Sequence, residues 1–182
     1  MIRLNPPLTP QVLSGLHTGD SVLLSGVIYT ARDAAHKRLT WLIQQGHDLP
    51  FPLRNATIYY AGPCPAGPGQ VIGSCGPTTS GRMDSYAPIL MDHGLTAMIG
   101  KGPRDARVVD AIRRNCGVYF ATIGGAGALI ASTIREAEII AFEDLGTEAI
   151  RRLVVEDFPM LVAIDSQGND LYQSGPACYR MS

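Results

Sequence analysis

The sequence predicts an α/β fold with parallel strands in the middle of the chain and additional β-structure at both ends. Between residues 21 and 134, short runs rich in β-branched and aromatic residues alternate with segments of helical periodicity. Glycine and proline clusters separate these segments. Because 46% of the 182 residues are apolar and 17% are charged, the chain can build a hydrophobic core. We therefore predict one compact domain over residues 1–182.

The first sixty residues are predicted to form two helices and two strands. Thr9 and Pro10 are typical of the N-cap and the first position of a helix. Arg32-Asp33 closes a run rich in Val, Leu and Ile and begins a helix that stops at Gly46. The predicted elements are helices over 10–16 and 33–45 and strands over 21–30 and 57–61.

The middle of the chain is dense in glycine and proline. Residues 62–69 are predicted to be a loop, and residues 70–74 a strand that leads into a small, polar segment. A helix is predicted over residues 80–93. Pro88 should kink this helix or mark an early break, because proline removes a helical hydrogen bond.

The remainder of the chain continues the alternation and ends in β-structure. The segment 165–169 is typical of a turn, after which residues 170–173 are expected to pair back on the preceding strand. The other predicted elements are strands over 95–99, 118–122, 136–143, 150–155 and 160–164 and helices over 103–116 and 128–134.

Charge and hydropathy exclude several classes of protein. The formal net charge is −1, so no broad basic field indicates binding to nucleic acid or to an anionic membrane. No apolar run approaches the length that spans a bilayer. Residues 1–10 contain no signal-peptide core. We expect a soluble cytoplasmic protein.

The cysteines indicate no metal site in this chain. The sequence has four, Cys64, Cys75, Cys116 and Cys178, with no C-x-x-C pair and no Cys/His spacing typical of zinc. In a cytoplasmic protein, free thiols are the expected state. We predict four structural or incidental cysteines and no metal ligand.

Three of the predicted turns that follow strands carry a cation, namely Arg32, Arg82 and Lys101. In open α/β sheets such turns gather beyond the carboxyl ends of the strands, where ligands bind. Three converging cations suit a small dicarboxylate or a phosphate, and an arginine fork matches both anions. For any one of these cations alone, a scattered surface charge is the better interpretation.

Hydroxyl groups lie next to Arg82 in the sequence. A helix start there would offer unpaired N–H groups that bind anions, although an ordinary capped turn explains the segment equally well. A hydroxyl of Thr78, Thr79 or Ser80 is expected to cap the helix. A threonine hydroxyl transfers protons poorly unless a neighbour stabilises its alkoxide, which nearby cations would do.

Two further features have both a functional and a structural interpretation. His36 follows Arg32 by one helical turn and either lies outside the site or orients Arg32 or Asp33. Gly124-Gly125-Ala126-Gly127 is compatible with a phosphate cradle, but it lacks the G-x-G-x-x-G spacing. Close packing of a helix on the sheet explains these glycines equally well.

The segment Gly76-Pro77-Thr78-Thr79-Ser80-Gly81-Arg82-Met83-Asp84-Ser85-Tyr86 closely resembles the signature of the class I, iron–sulfur-dependent fumarases. Other segments match this family in the same order: Arg32-Asp33-Ala34-Ala35-His36, Tyr59-Tyr60-Ala61-Gly62-Pro63, Gly100-Lys101-Gly102, Ile123-Gly124-Gly125, and Val155-Glu156-Asp157-Phe158-Pro159 with Gly168-Asn169-Asp170. The resemblance is specific, because six separated motifs agree over nearly the whole chain.

The resemblance implies a fold, a partner and a cofactor. The fold is a single swivelling β/β/α domain with a mixed, partly parallel sheet and flanking helices. In this family an α portion holds a [4Fe–4S] cluster with one open iron site, and a β portion closes the active site. This chain resembles the β portion alone. The cluster is therefore expected on a partner α subunit, in an α2β2 assembly, and not on this chain.

The resemblance also implies residue roles in the reversible dehydration of (S)-malate to fumarate. Arg32, Arg82 and Lys101 would bind the substrate carboxylates, and Thr78 would be the proton-transfer hydroxyl. The partner's open iron would act as a Lewis acid on the leaving water. The residues expected to support this site from behind are Asp33, His36 and Thr79.

Two alternatives to fumarate hydratase remain open. The first is the β subunit of L-tartrate dehydratase, a related protein, or of another hydroxydicarboxylate hydro-lyase. The second is a non-catalytic domain that holds a small anion, because the cation-bearing turns alone do not distinguish binding from catalysis. The form Gly81-Arg82-Met83-Asp84 favours fumarase within the enzyme alternatives.

Overall fold

The computed structural model describes residues 1–122 and 127–179, and the side chains of residues 1–122 and 127–175. In this part of the chain the strands are β1 (Ile2–Leu4), β2 (Ser21–Thr30), β3 (Thr57–Tyr59), β4 (Ala97–Gly100), β5 (Val118–Ala121), β6 (Ile134–Ala141) and β7 (Ile150–Ile164). The α-helices are α1 (Pro10–Leu13), α2 (Asp33–Gln44), α3 (Ala87–Asp92), α4 (Ala106–Asn115), α5 (Gly127–Ser132) and α6 (Leu171–Tyr179). Two 3-10 helices cover Ser80–Met83 and Glu143–Glu148. None of the described helices is both long enough and apolar enough to cross a membrane.

One mixed sheet, in the order β1-β2-β3-β4-β5-β7-β6, forms the centre of the domain. Neighbours from β2 to β5 pair in parallel, whereas β7 pairs antiparallel with β5, with β6 and with β2. The contact between β2 and β7 closes five strands into a barrel, which covers edges that would otherwise stay unpaired. The predicted α/β class, with a mixed, partly parallel sheet and flanking helices in a single domain, is confirmed.

The central strands are buried on both faces. Tyr59 and Ile99 belong to a core that includes residues of α1 and α5. Their sequence neighbours Ile58 and Met98 belong to a second core, which packs against α2, α3 and α4. Strands covered on both sides read as continuous apolar runs, and this is why the sequence predicts them well.

The parallel strands β2, β3 and β4 end at the same edge of the sheet. The turns after them stay joined by main-chain hydrogen bonds, since Ala31 donates to Tyr59 O at 3.1 Å and Tyr60 donates to Ile99 O at 2.8 Å. We call this edge the carboxyl edge. It brings together segments that are far apart in sequence, and it positions the candidate site.

The prediction of a strand over residues 70–74 is wrong. No described strand covers this segment. Its main chain pairs instead with the glycine- and proline-rich loop, because Cys64 N–H donates to Ser74 O at 2.9 Å and Gly73 N–H donates to Cys64 O at 3.2 Å. An apolar run becomes a strand only where a neighbouring strand lies beside it, and none does here among the described residues.

The helix predicted over residues 80–93 is divided in two. A four-residue 3-10 helix, Ser80–Met83, is followed by α3, and Pro88 is in the first turn of α3. Proline is compatible with a first helical turn, where its missing N–H would have no partner in any case. The early break that Pro88 indicated is therefore observed.

The two strands predicted over 150–155 and 160–164 are one 15-residue strand, β7. A β-bulge lies between them. Leu24 pairs with Phe158 and Gly26 pairs with Val155, so one residue of β2 opposes two of β7. Asp157, inside the bulge, has φ of 51°. Its charge and the nearby proline made the strand look interrupted in the sequence.

Both ends of the chain also differ from prediction. The first helix is shorter, covering four residues, and the strand β1 is absent from the prediction. Residues 170–173 do not form a strand: Asp170 makes one isolated bridge with Ile164, and α6 follows. Asp170 Oδ1 accepts a hydrogen bond from Tyr172 N–H at 2.9 Å, which favours a helix start. In the glycine-rich segment 124–127, the first three residues lie outside the described part.

Candidate active site

The segment that holds Thr78 and Ser80 crosses the carboxyl edge. Thr78 N–H donates to Tyr60 O, after β3, at 2.7 Å. Ser80 N–H donates to Lys101 O, after β4, at 2.9 Å. Ser80 Oγ in turn accepts a hydrogen bond from Lys101 N–H at 3.0 Å. This segment is therefore fixed to the turns after two neighbouring strands, and Thr78 is bonded to the turn after β3.

Asp33 joins the two arginines of the predicted site. Its Oδ1 accepts a hydrogen bond from Arg82 Nε at 2.8 Å, and its Oδ2 lies 3.8 Å from Arg32 Nε. Arg82 is half exposed, and among the described residues its side chain forms one hydrogen bond, from Nε to Asp33. The outer side of the Arg82 guanidinium therefore remains available for an anion.

Glu148 is a neighbour of Arg32 that the sequence analysis missed. Its Oε1 lies 3.4 Å from Arg32 Nη2, and its Oε2 accepts a hydrogen bond from Ala34 N–H at 2.9 Å. Arg32 also passes close to Gly62, where a Cβ atom would lie 2.8 Å from Nη1. Arg32 is thus held between two carboxylates and is less free than Arg82.

Lys101 reaches the carboxyl edge through its main chain. It follows β4 directly, and its N–H and C=O groups are both bonded to Ser80. Within the described residues, its Nζ forms no ion pair, and its side chain is half-buried. The structure therefore brings Arg32, Arg82 and Lys101 to one edge, with direct side-chain linkage observed between the two arginines through their common carboxylate.

The expected hydroxyl cap is wrong. Thr79 occupies the N-cap position of the 3-10 helix without a capping hydrogen bond from its side chain. Ser80 Oγ accepts a hydrogen bond from Lys101 N–H instead of capping the helix. The N–H groups of Thr78 and Ser80 are also engaged, so the helix start offers fewer free donors than a typical anion site. The Thr78 hydroxyl has no hydrogen bond to another described residue.

His36 lies beneath the turn that carries Arg32. Its Nδ1 is 3.0 Å from Arg32 O, so the ring donates to that carbonyl from Nδ1. Its ring meets the Tyr60 ring edge-on, with centroids 5.1 Å apart. Burial lowers the pKa of His36 to about 4, which makes it a neutral side chain at pH 7. The geometry is compatible with the predicted orienting role, exercised on the main chain of Arg32.

A buried ion pair below the Arg82 turn is a second feature that the sequence analysis missed. Arg104 Nε donates to Asp84 Oδ1 at 2.6 Å, and the two side chains are 0% and 9% exposed. Asp84 stands within the fumarase-like motif, which was a signal for it. No comparable signal exists for Arg104, because a single arginine after a turn is usually a solvated surface residue.

The described cysteines do not fit an iron–sulfur cluster, which needs several thiolates arranged around it. Cys75 is fully buried, and burial raises its pKa to about 12. Cys64 and Cys116 are exposed, and Cys116 lies at the end of α4. In the described part of the chain, no three or more His, Cys, Asp or Glu side chains are grouped so that they could hold a metal ion.

Comparison with known proteins gives one family and two kinds of relative. The model of the family described as Fumarase C-terminus matches residues 1–175. The anaerobic class I fumarate hydratase of Escherichia coli K12 is 41% identical over 176 residues, which is 94% of this chain and 32% of that protein. Fumarate hydratase 2 of Leishmania major is 40% identical over 164 residues, covering 89% of this chain and 29% of that protein.

This chain covers most of the length of a third relative. The putative L(+)-tartrate dehydratase subunit beta of Methanocaldococcus jannaschii is 37% identical over 172 residues, covering 91% of this chain and 88% of that protein. The chain thus spans about a third of the two fumarate hydratases, at 32% and 29% of their lengths, and nearly all of the beta subunit.

Proposed function

Because this chain belongs to the Fumarase C-terminus family, we propose that it is the β subunit of a two-subunit class I fumarate hydratase. The reaction is the reversible conversion of (S)-malate to fumarate and water, and residues 1–182 form the β-subunit domain. The chain covers 88% of a relative named as a subunit but 32% and 29% of the two fumarate hydratases. The name of the first relative, a subunit beta, supports a domain that acts together with a partner.

The observation that carries the proposal is the convergence of charge at the carboxyl edge. Arg32 and Arg82 share Asp33, while Thr78 is fixed to the same edge by Tyr60 and Lys101 by Ser80. A dicarboxylate carries two charges a few ångströms apart and is matched by cations on neighbouring turns.

Arg82 and Lys101 are the groups best placed to receive the substrate carboxylates. Arg82 is anchored through Nε, so both terminal nitrogens are free to bind a carboxylate as a fork. Lys101 supplies a compact positive charge on a fixed turn. Arg32 already contacts Asp33 and Glu148. It would add a third positive charge to the site and would replace one of these carboxylates by a substrate carboxylate when substrate binds.

Thr78 is the proposed proton-transfer group. Dehydration removes a proton from the carbon next to a carboxylate and hydroxide from the neighbouring carbon, and proton and hydroxide together make the water that leaves. Proton removal places negative charge on that carboxylate, where a guanidinium stabilises it. The same cations lower the cost of the Thr78 alkoxide that would accept the proton. Asp33, His36 and Thr79 are proposed as supports of this arrangement.

A partner α subunit is proposed to hold the [4Fe–4S] cluster, which this chain's described cysteines do not fit. When bound, the cluster supplies Lewis acidity to the hydroxyl that departs. The partner would also exclude water from the exposed side of Arg82. We propose a cytoplasmic α2β2 assembly.

The test is reconstitution. The purified chain is assayed for malate–fumarate interconversion alone and together with an iron-loaded α subunit, by the ultraviolet absorbance of fumarate. Turnover is expected from the complex and none from the chain alone. Robust turnover by the chain alone contradicts the need for a partner. Absence of turnover by a cluster-loaded complex on any hydroxydicarboxylate favours a non-catalytic anion-binding domain instead.

A second candidate, L-tartrate dehydratase, is supported by the 88% coverage of the beta subunit from M. jannaschii. The two reactions share a hydroxydicarboxylate substrate and loss of water, so the carboxyl edge suits both. A panel of malate, L-tartrate and methyl-substituted malates on the assembled complex separates them. A higher kcat/KM for tartrate than for malate would replace fumarate hydratase as the assignment.

A further inference from the structure

Arg104 is a fully buried cation close to the candidate site, and no step of the proposed reaction uses it. Its side chain is 0% exposed and pairs with Asp84 at 2.6 Å. We propose that Arg104 is a positioning residue for the hydratase reaction, because it fixes the main-chain segment that carries Thr78 and Arg82. This inference rests on the proposed function, since positioning matters only if these two residues act on substrate.

The first link runs through Asp84. This residue ends the 3-10 helix Ser80–Met83, which carries Arg82. Its Oδ1 accepts a hydrogen bond from Arg104 Nε, and its Oδ2 accepts one from Asp105 N–H at 2.8 Å. Both carboxylate oxygens are thus bonded to the segment that begins α4. The turn that carries Arg82 is thereby tied to an adjacent helix from inside the protein.

The second link runs through two tyrosines. The Arg104 Cζ atom lies 5.3 Å from the Tyr60 ring centroid and 4.9 Å from the Tyr119 ring centroid, within cation–π range. Tyr60 O accepts the hydrogen bond from Thr78 N–H at 2.7 Å. Tyr119 Oη lies 2.9 Å from Ser80 Oγ. One guanidinium therefore contacts the residues that anchor both Thr78 and Ser80.

Stability alone is a poor explanation for this pair. Removing two charges from water is costly, and apolar residues of similar volume are often equally stable or more stable in their place. An arginine fork differs from an apolar side chain in that its contacts are directional. Directional contacts select one arrangement of the turn, and a misplacement of about 1 Å at a catalytic group costs about 100-fold in rate.

The test replaces the pair and compares it with a half-exposed Arg–Asp pair elsewhere that is joined through the same two atoms. The variant Arg104→Met with Asp84→Asn removes both charges, while the asparagine oxygen can still accept from the main chain of α4. The control is Arg114→Met with Asp92→Asn, an Arg–Asp pair with an Nε–Oδ1 distance of 2.7 Å. The control pair lies where α3 and α4 end, at the opposite edge of the sheet from the candidate site.

The first readout is amide hydrogen exchange on the isolated full chain, which needs no activity. We expect exchange at Thr78 and Ser80 to accelerate by about tenfold in the test variant, because local opening becomes easier. Exchange at Leu24 in β2, which is buried away from Arg104, and the melting temperature should stay near those of the wild type. The control pair should change neither site amide. Unchanged exchange at both site amides overturns the positioning role.

The second readout is kcat and KM of the assembled enzyme. We expect kcat/KM to fall by about tenfold or more in the test variant, with no such loss in the control. The single variant Arg104→Lys keeps the charge and should retain more activity than the double variant. Faster exchange with unchanged kcat/KM overturns the role in the reaction. A wild-type complex without hydratase activity removes the proposed function, and the exchange result then still decides whether Arg104 positions the turn.

Discussion

Asp33 and Arg82 are 49 residues apart in sequence, yet Oδ1 of the first accepts a hydrogen bond from Nε of the second at 2.8 Å. The pair joins the start of α2 to the 3-10 turn after the central motif. Because the bond uses Nε, it orients the guanidinium and leaves both terminal nitrogens without a hydrogen bond to another described residue. Asp33 is thus in a position to hold an anion-binding fork in place before substrate arrives.

The variant Asp33→Ala should therefore weaken substrate capture. Without the carboxylate, Arg82 loses its orientation and Arg32 loses one of its two counter-charges. We expect KM for malate to rise by about tenfold, since a charge-assisted hydrogen bond contributes about 1.5–3 kcal/mol. Steady-state kinetics of the assembled enzyme measure this change in KM. Asp92→Ala removes a carboxylate that also binds an arginine Nε, at 2.7 Å, and should leave KM unchanged. A lower KM in Asp33→Ala would mean that Asp33 competes with substrate.

Thr78→Val should lower turnover much more than it changes affinity. Valine keeps the shape of threonine and removes the hydroxyl, while the main-chain bond to Tyr60 O is retained. We expect kcat to fall by about 100-fold, the lower end of the usual effect of a positioned proton-transfer group. Thr78→Ser should retain most of the activity. Thr133→Val is the control, because the Thr133 hydroxyl lies before β6 and makes only a local hydrogen bond, to Ile130 O at 2.7 Å. Equal kcat in Thr78→Val and wild type removes Thr78 from the reaction.

His36 should make the protein less stable in weakly acidic solution. Its pKa is lowered from 6.5 to about 4 by burial, so the unfolded chain binds more protons than the folded one between these values. Stability is complete above about pH 6.5 and is lost as the pH falls toward 4, by up to about 3 kcal/mol. Urea denaturation of the chain between pH 7.5 and about 4 measures this loss.

The variant His36→Leu should reduce that pH dependence. Arg32 O still accepts the helical hydrogen bond from the main chain of residue 36, at 2.8 Å, so the turn keeps one anchor. His17→Gln, at an exposed position, is the control and should follow the wild type. An unfolding free energy that falls equally steeply in His36→Leu and wild type would assign the acid sensitivity to other groups.

Gly100→Ala should disturb the site through Ser80. A Cβ atom at Gly100 would overlap Ser80 Oγ and lie 3.0 Å from Tyr60 Cδ2. We expect a loss of about 1–3 kcal/mol in unfolding free energy, typical of overpacking, and a fall in kcat/KM as Ser80 leaves Lys101 N–H. At Gly15, where the nearest atom to a Cβ would be Val12 O at 3.8 Å, alanine should cost less than about 0.5 kcal/mol. An unfolding free energy equal to that of the wild type in Gly100→Ala would show that Ser80 and Tyr60 move aside at little cost.

Several strands of the fold were predicted from the sequence pattern, and the same pattern explains the strand that was predicted wrongly. The strands β3, β4 and β5 were predicted because they are covered on both faces and read as apolar runs between punctuating residues. The strand over residues 70–74 was predicted by the same signal and is absent, because no strand lies beside it in the described chain. An apolar composition indicates that a segment is buried, whereas a strand also requires another strand to pair with.

Some residues of the candidate site were predicted from the sequence and others were not. Arg32 and Lys101 were predicted because they lie in turns after strands, and the direction of the chain decides which edge such a turn occupies. Thr78 and Arg82 were predicted there from a strand over residues 70–74 that the described chain lacks, and main-chain bonds to Tyr60 and Lys101 bring their segment to this edge instead. Glu148 and Arg104 were missed. Glu148 contacts Arg32 only because the segment after β6 folds back over α2. Arg104 is buried only because two tyrosines from different strands enclose it.

The sequence by itself determined the α/β class, the positions of the cation-bearing turns and the family to which the chain belongs, because each of these depends on local periodicity, chain direction or motif identity. Only the tertiary structure decided which carboxylate holds which arginine, that Arg32 lies between two carboxylates while Arg82 pairs with one, and that a buried cation underlies the turn with Thr78. Those relationships depend on how elements far apart in the chain pack against one another. A side chain's burial and partners are properties of that packing, and no local pattern encodes them.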